Sequence, residues 1–117
     1  MEEPRAALIY TTLPDTKTAR EIAASLLDEG LIACANILGE VESVFLWNDK
    51  VESASEAAVL FKTTAATIQA AVSRLGALHP YETPAIVANV CDAAHPDTLQ
   101  WLAEQVLQKT NGTHGAE

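Results

Sequence analysis

Basic side chains are scarce in this 117-residue chain, where 7 Lys plus Arg stand against 16 Asp plus Glu for a net charge of −9. That excludes nucleic-acid binding driven by phosphate neutralisation, which needs a clustered basic face. Cysteine is nearly absent, and Cys34 and Cys91 lie far apart in apolar segments. Such spacing argues against a disulfide framework or a clustered zinc motif, and for reduced thiols in a cytoplasmic setting. No apolar run approaches the roughly 20 residues that span a bilayer, so a membrane protein is not expected. Met1 to Pro4 carry two acids and lack the basic start and apolar core of a signal peptide. Glycine and proline number five each, too few for a low-complexity chain.

What is present is an ordinary globular balance, 49% hydrophobic and 20% charged residues, and a length that fits one domain over residues 1–117. Ala6 to Thr12 form an apolar, β-favouring run closed by Pro14-Asp15, which predicts a strand and a turn. Ala19, Ile22, Ala23, Leu26 and Leu27 then recur at helical spacing. Asp15 is the expected N-cap, Thr18 and Glu21 a shifted capping box, and Gly30 the left-handed residue after the last turn. Leu31 to Trp47 carry no helical stripe: Val41, Ser43, Phe45 and Trp47 alternate with Glu40, Glu42, Val44 and Leu46, the period of a strand. Gly39 is the expected bulge. Asn48-Asp49-Lys50 links this strand to a second one, Val51 to Thr63, as a hairpin.

Helical spacing returns in Ala65, Ile68, Ala71, Val72 and Leu75 and ends at Leu78-His79-Pro80, because proline disfavours a helical conformation in the residue before it. Pro84 to Cys91 read as a further strand. Pro96 opens a last helix with Leu99, Leu102, Ala103 and Val106 in register, and Lys109 to Glu117 are expected to fray. The order β-α-β-β-α-β-α predicts an α+β, ferredoxin-like sandwich, a split β-α-β fold with a four-stranded antiparallel sheet and an extra C-terminal helix. Two helices cover one sheet face, yet Ala6 to Tyr10, Ala57 to Phe61 and Ala85 to Ala88 have no polar side chain on either alternation. The second face is therefore left apolar, which predicts self-association. Trp101 falls off the apolar stripe of the last helix and is a further expected contact between subunits.

Thr12-Leu13-Pro14, Leu31-Ile32-Ala33-Cys34-Ala35-Asn36-Ile37, Leu46-Trp47, Phe61-Lys62-Thr63, His79-Pro80-Tyr81-Glu82-Thr83-Pro84 and Leu99-Gln100-Trp101-Leu102 together resemble the divalent-cation tolerance family, CutA, over residues 6 to 107. The resemblance implies a ferredoxin-like subunit in a tight homotrimer and a link to tolerance of copper and other divalent metals, with no family-wide enzymatic activity. In some members copper binding resembles a site shared by the histidine of His-Pro-Tyr, a histidine just before it and a cysteine ending the first strand. Here the last two positions are Leu78 and Thr11, so only His79 carries over.

His79 is thus the leading candidate ligand for a divalent metal such as copper, with Glu82 to complete a harder oxygen-rich site. The plainer reading of His79 is a helix-ending residue whose ring bonds nearby carbonyls. Lys62 and Thr63, near Tyr81 by the family pattern, are expected to line a cleft between subunits that accepts a small anionic metabolite, as in PII-like signalling proteins, or to form an ion pair that fixes the trimer. Trp47 and Trp101 are the candidate interface residues, and docking of a partner protein through Trp101 or the acidic hairpin is a further reading. Cys34 and Cys91 read as core thiols, Glu40, Glu42, Glu52 and Glu56 as a solvated acidic face, His95 as a helix-entry residue and His114 as a tail residue. With no Gly-rich phosphate loop, Ser-His-Asp set or cysteine nucleophile beside a base, catalysis is not expected.

Overall fold

The computed structural model describes residues 4–115, with side chains as far as Val106. Seven elements follow in order: β1 (Ala6–Leu13), α1 (Thr16–Asp28), β2 (Cys34–Trp47), β3 (Lys50–Thr64), α2 (Ile68–Leu78), β4 (Ile86–Val90) and α3 (Pro96–Gly115). The four strands make one antiparallel sheet in the order β2-β3-β1-β4. Each half of the chain therefore crosses over a neighbouring strand, and the fold is the α+β split β-α-β arrangement expected from the period changes.

Local chemistry explains the element ends. The Asp15 carboxylate accepts a hydrogen bond from the Thr18 N–H at 2.7 Å and caps α1, while Glu21 turns instead to Lys17. Gly30 takes φ 73° just past the helix, as a left-handed terminator must. Asn48 and Asp49 both adopt positive φ, 52° and 65°, the twisted two-residue turn that suits a hairpin. At Leu38 the pairing with β3 slips by one residue, and Gly39 with φ 107° absorbs the bulge. Several boundaries differ from the sequence reading: β2 begins at Cys34 rather than Leu31, and β4 runs over Ile86–Val90 rather than Pro84 to Cys91. Residues 65–67 form a turn before α2 rather than its first turn, and α3 continues past Lys109, since no glycine or proline interrupts it before Gly112.

The main core lies between the sheet and the helix pair α1 and α2. Ile9 and Leu13 of β1 and Val59 and Phe61 of β3 pack against Ile22, Leu26, Ala71 and Leu75. Strand alternation sends the intervening residues to the other face. There α3 lays Leu102 and Val106 over Ala6 and Ala33, a small second core at one end of the sheet. The rest of that face is only partly covered: Ala58 is buried, but Tyr10 is 39% and Val87 64% exposed, and these two are cross-strand partners. Beyond Ala57, the partner of Leu13, the β2–β3 hairpin extends past the sheet with Val44, Leu46, Trp47 and Val51 all exposed.

Candidate functional site

His79 ends α2, and the segment that follows runs along the end of β1 before β4 begins. Because β4 pairs only with residues 7–11 of β1, the backbone of Thr12 has a free edge on that side. His79 fills it. Its Nε2–H donates to the Thr12 carbonyl at 3.0 Å, with the Thr11 hydroxyl oxygen at 3.1 Å, and its Nδ1 accepts the Tyr81 N–H at 3.3 Å. The Thr11 hydroxyl itself donates to the Ala85 carbonyl at 2.9 Å. These partners fix one assignment, a neutral imidazole with its proton on Nε2. Burial pushes the His79 pKa below its ordinary value, against smaller opposing effects of the Thr12 carbonyl and the Glu56 charge.

Tyr81 stands beside the imidazole, ring centroids 4.9 Å apart, and its hydroxyl donates to Glu56 Oε2 at 2.7 Å. Glu56 is a residue that sequence reasoning assigned to the solvated hairpin face; the structure buries it, with 9% exposure. Burial would push its carboxyl up. Hydrogen bonding from the Ser43, Tyr81 and Thr12 hydroxyls, with a smaller contribution from His79, holds it below the ordinary carboxylate range. Tyr81 responds in the opposite sense: burial, the hydrogen bond to Glu56 and the nearby negative charge raise it to about 12. The signal that could have found Glu56 is its place directly before the apolar run Ala57–Phe61, where the hairpin joins the sheet.

The expected metal pair is not assembled within one chain. Both ring nitrogens of His79 are already used, one as donor and one as acceptor, so no lone pair is left for a metal. Glu82 is exposed. Among the described residues no three or more His, Cys, Asp or Glu side chains come together. The residues present therefore do not fit a copper centre in the single chain. Thr11 beside His79 is no activated hydroxyl either, because Nε2 faces it as a donor and cannot take its proton.

Within the single chain the residues expected to line a cleft between subunits, Lys62, Thr63 and Tyr81, stand apart. Thr63 turns to the helix side, where its hydroxyl donates to the Leu31 carbonyl at 2.8 Å. Lys62 points to the opposite face, paired across the strands with Leu8 and Cys34. Tyr81 belongs with Glu56, six residues away along β3 and so about 20 Å from Lys62. Trp47 and Trp101 are 64% and 43% exposed, each at the surface of the single chain. The Cys34 and Cys91 thiols are free and half-buried, and His95 accepts the Asp97 N–H at the start of α3, as a helix-entry residue does. His114 lies outside the residues with described side chains.

Residues 7–105 match a family model described as CutA1 divalent ion tolerance protein. The divalent-cation tolerance protein CutA of Pyrococcus horikoshii is 38% identical over 98 residues, covering 84% of this chain and 95% of that one. Its counterpart from Salmonella newport is 39% identical over 101 residues, covering 85% and 86%. Among solved structures, the divalent ion tolerance protein CutA1 from Ehrlichia chaffeensis superposes with a TM-score of 0.86 at 36% identity, covering 90% of this chain and 98% of that one. The periplasmic divalent cation tolerance protein CutA from Archaeoglobus fulgidus gives a TM-score of 0.82 at 35% identity, covering 86% and 98%.

Proposed function

Because the chain belongs to the CutA1 divalent ion tolerance family, we propose that it serves divalent-cation tolerance as a non-enzymatic homotrimer without a metal centre preformed in one chain. The observation that carries this reading is the apolar surface the single chain leaves open, on the second sheet face at Tyr10 and Val87 and on the hairpin at Val44, Leu46, Trp47 and Val51. Self-association is the ordinary way to bury such a surface. The neutral, fully bonded His79 supports the rest of the reading: its ring holds the segment after α2 against β1. Copper and similar ions then meet the assembly through its excess of carboxylates, with modest affinity and little selectivity.

Sedimentation equilibrium at micromolar concentration tests the assembly; three times the chain mass is expected, and a stable single-chain species overturns it. Calorimetric copper titration of the wild type and of His79→Ala tests the ligand assignment. Matching isotherms are expected, and loss of the copper signal in the variant would return His79 to a metal site. Among the described residues no helix is long and apolar enough to cross a membrane. The free thiols support a cytoplasmic location, which fractionation of the source cells tests directly.

A further inference from the structure

The β2–β3 hairpin leaves the sheet as an arm. β1 stops at Leu13, the partner of Ala57, so the seven residue pairs from Val41–Glu56 to Trp47–Lys50 have no third strand beside them. They reach about 20 Å from the sheet, and a two-stranded ribbon is only marginally stable by itself. Every residue from Val44 to Ser55 is exposed, so nothing else in the chain braces the outer part. The root of the arm is soft on the β2 side. At Leu38 the ladder slips by one residue, and Gly39 takes φ 107° with nothing within 4 Å of the place a side chain would fill. A bulge of this kind, with open space around it, absorbs changes of φ and ψ as a hinge does.

The β3 side of the root is fastened. Among the described residues, the side-chain hydrogen bonds between the arm and the other elements all end on Glu56, in the first pair of the arm. Tyr81 donates to it at 2.7 Å from the segment after α2, and the Thr12 hydroxyl donates from the end of β1. The Ser43 hydroxyl donates from the opposite strand of the arm, a diagonal neighbour on the same face. Tyr81 is itself held, because its N–H bonds His79 Nδ1 at 3.3 Å and His79 bonds the Thr12 carbonyl at 3.0 Å. One buried carboxylate thus joins three elements at the point where the lever begins, and the bulge lies across the ladder from it.

We propose that the hairpin is a hinged arm, that Gly39 is its hinge, and that the Tyr81–Glu56 hydrogen bond is the clamp that fixes its direction. Tyr81 and Glu56 are then positioning residues for the apolar surface at Val44, Leu46, Trp47 and Val51. A change in the seating of the His79–Tyr81 segment reaches that surface through a single bond. The device lies within one chain, so it stands or falls independently of the trimeric reading above.

Backbone N–H order parameters, obtained by NMR from residual dipolar couplings, test the clamp in the wild type, Tyr81→Phe and Glu56→Gln. In the wild type, the sheet and arm residues 42–55 are expected to share one alignment tensor, with order parameters of about 0.85 in both. In Tyr81→Phe the arm is expected to fall toward about 0.6, while β1, α1 and α2 keep the wild-type value. Glu56→Gln keeps an oxygen that accepts from Tyr81, so a smaller fall confined to the same residues is expected. Loss of stability alone would lower the melting temperature and leave these native-state values in place. An arm that keeps the order parameters of the sheet in both variants would overturn the clamp. So would a fall spread equally over the arm, β1 and the helices.

Discussion

His79 shows how one side chain reads differently before and after its neighbours are known. Its place after a helix and before proline is visible in the sequence, and so is the plainer role of a ring bonded to backbone carbonyls. Its actual acceptor, the Thr12 carbonyl, comes from another strand, and no local spacing announces it. The same holds for Tyr81 and Glu56, 25 positions apart yet hydrogen-bonded at 2.7 Å. The network has two pH signatures on the acid side. His79 is held below its ordinary 6.5, so the folded state binds its proton less readily than the unfolded chain. Its contribution is then complete above pH 6.5 and is lost as pH falls through the folded value. Glu56, held below 4.5, adds a second loss at lower pH with the same sign. Guanidinium midpoints measured against pH should fall below 6.5 in the wild type and stay flatter between 6.5 and 4.5 in His79→Gln. An identical slope in the variant would show that His79 is not the group responsible.

Tyr81 gives the opposite limb. Raised from 10.0 to about 12, it contributes stability that is present below pH 10 and lost as pH rises toward 12. Tyr81→Phe should remove that alkaline loss and, by leaving Glu56 one donor short, cost about 1–2 kcal/mol near neutrality. Denaturant melts at pH 8 and 11 measure both; a variant as stable as wild type at pH 8 would mean that Ser43 and Thr12 suffice for the carboxylate.

At the scale of elements the chain was legible wherever period alone decides. Both amphipathic helices, the long hairpin, the Gly39 bulge and the Pro96 helix start appear where their patterns place them, because each depends on neighbours within a few residues. What escaped was the burial of Glu56, which depends on the distant Tyr81. Two glycines give an element-scale test with opposite signs. Gly76 lies inside α2, and the nearest atom a new methyl would meet is Ile86 Cδ1 at 4.0 Å. Gly76→Ala should therefore stabilise the protein by about 0.5–1 kcal/mol through helix propensity. At Gly39 there is equally open space, with nothing within 4 Å, but φ is +107°. Gly39→Ala should then destabilise by about 1–2 kcal/mol through backbone strain alone. Thermal melts of the two variants decide it, and a shift of the same sign in both would contradict the argument.

For the whole molecule, the absence of alternation in β1, β3 and β4 stated in advance that one sheet face would lack a cover, although not that α3 would take one end of it through Leu102, Val106, Ala6 and Ala33. The hairpin carries the argument furthest. Trp47 is 64% exposed in the single chain, so its ring adds little to the stability of an isolated copy. Seated against a neighbouring copy, the same ring would bury on the order of 100 Å² or more and contribute about 3 kcal/mol per chain. Trp47→Ser therefore separates the two situations. In an isolated copy its melting temperature should match the wild type within a degree or two; in an assembly it should fall by several degrees and rise with protein concentration, since association stabilises by mass action. We expect the second result. A melting temperature that is unchanged by the substitution and by dilution would leave the exposed hairpin without the covering copy on which the reading of this surface depends.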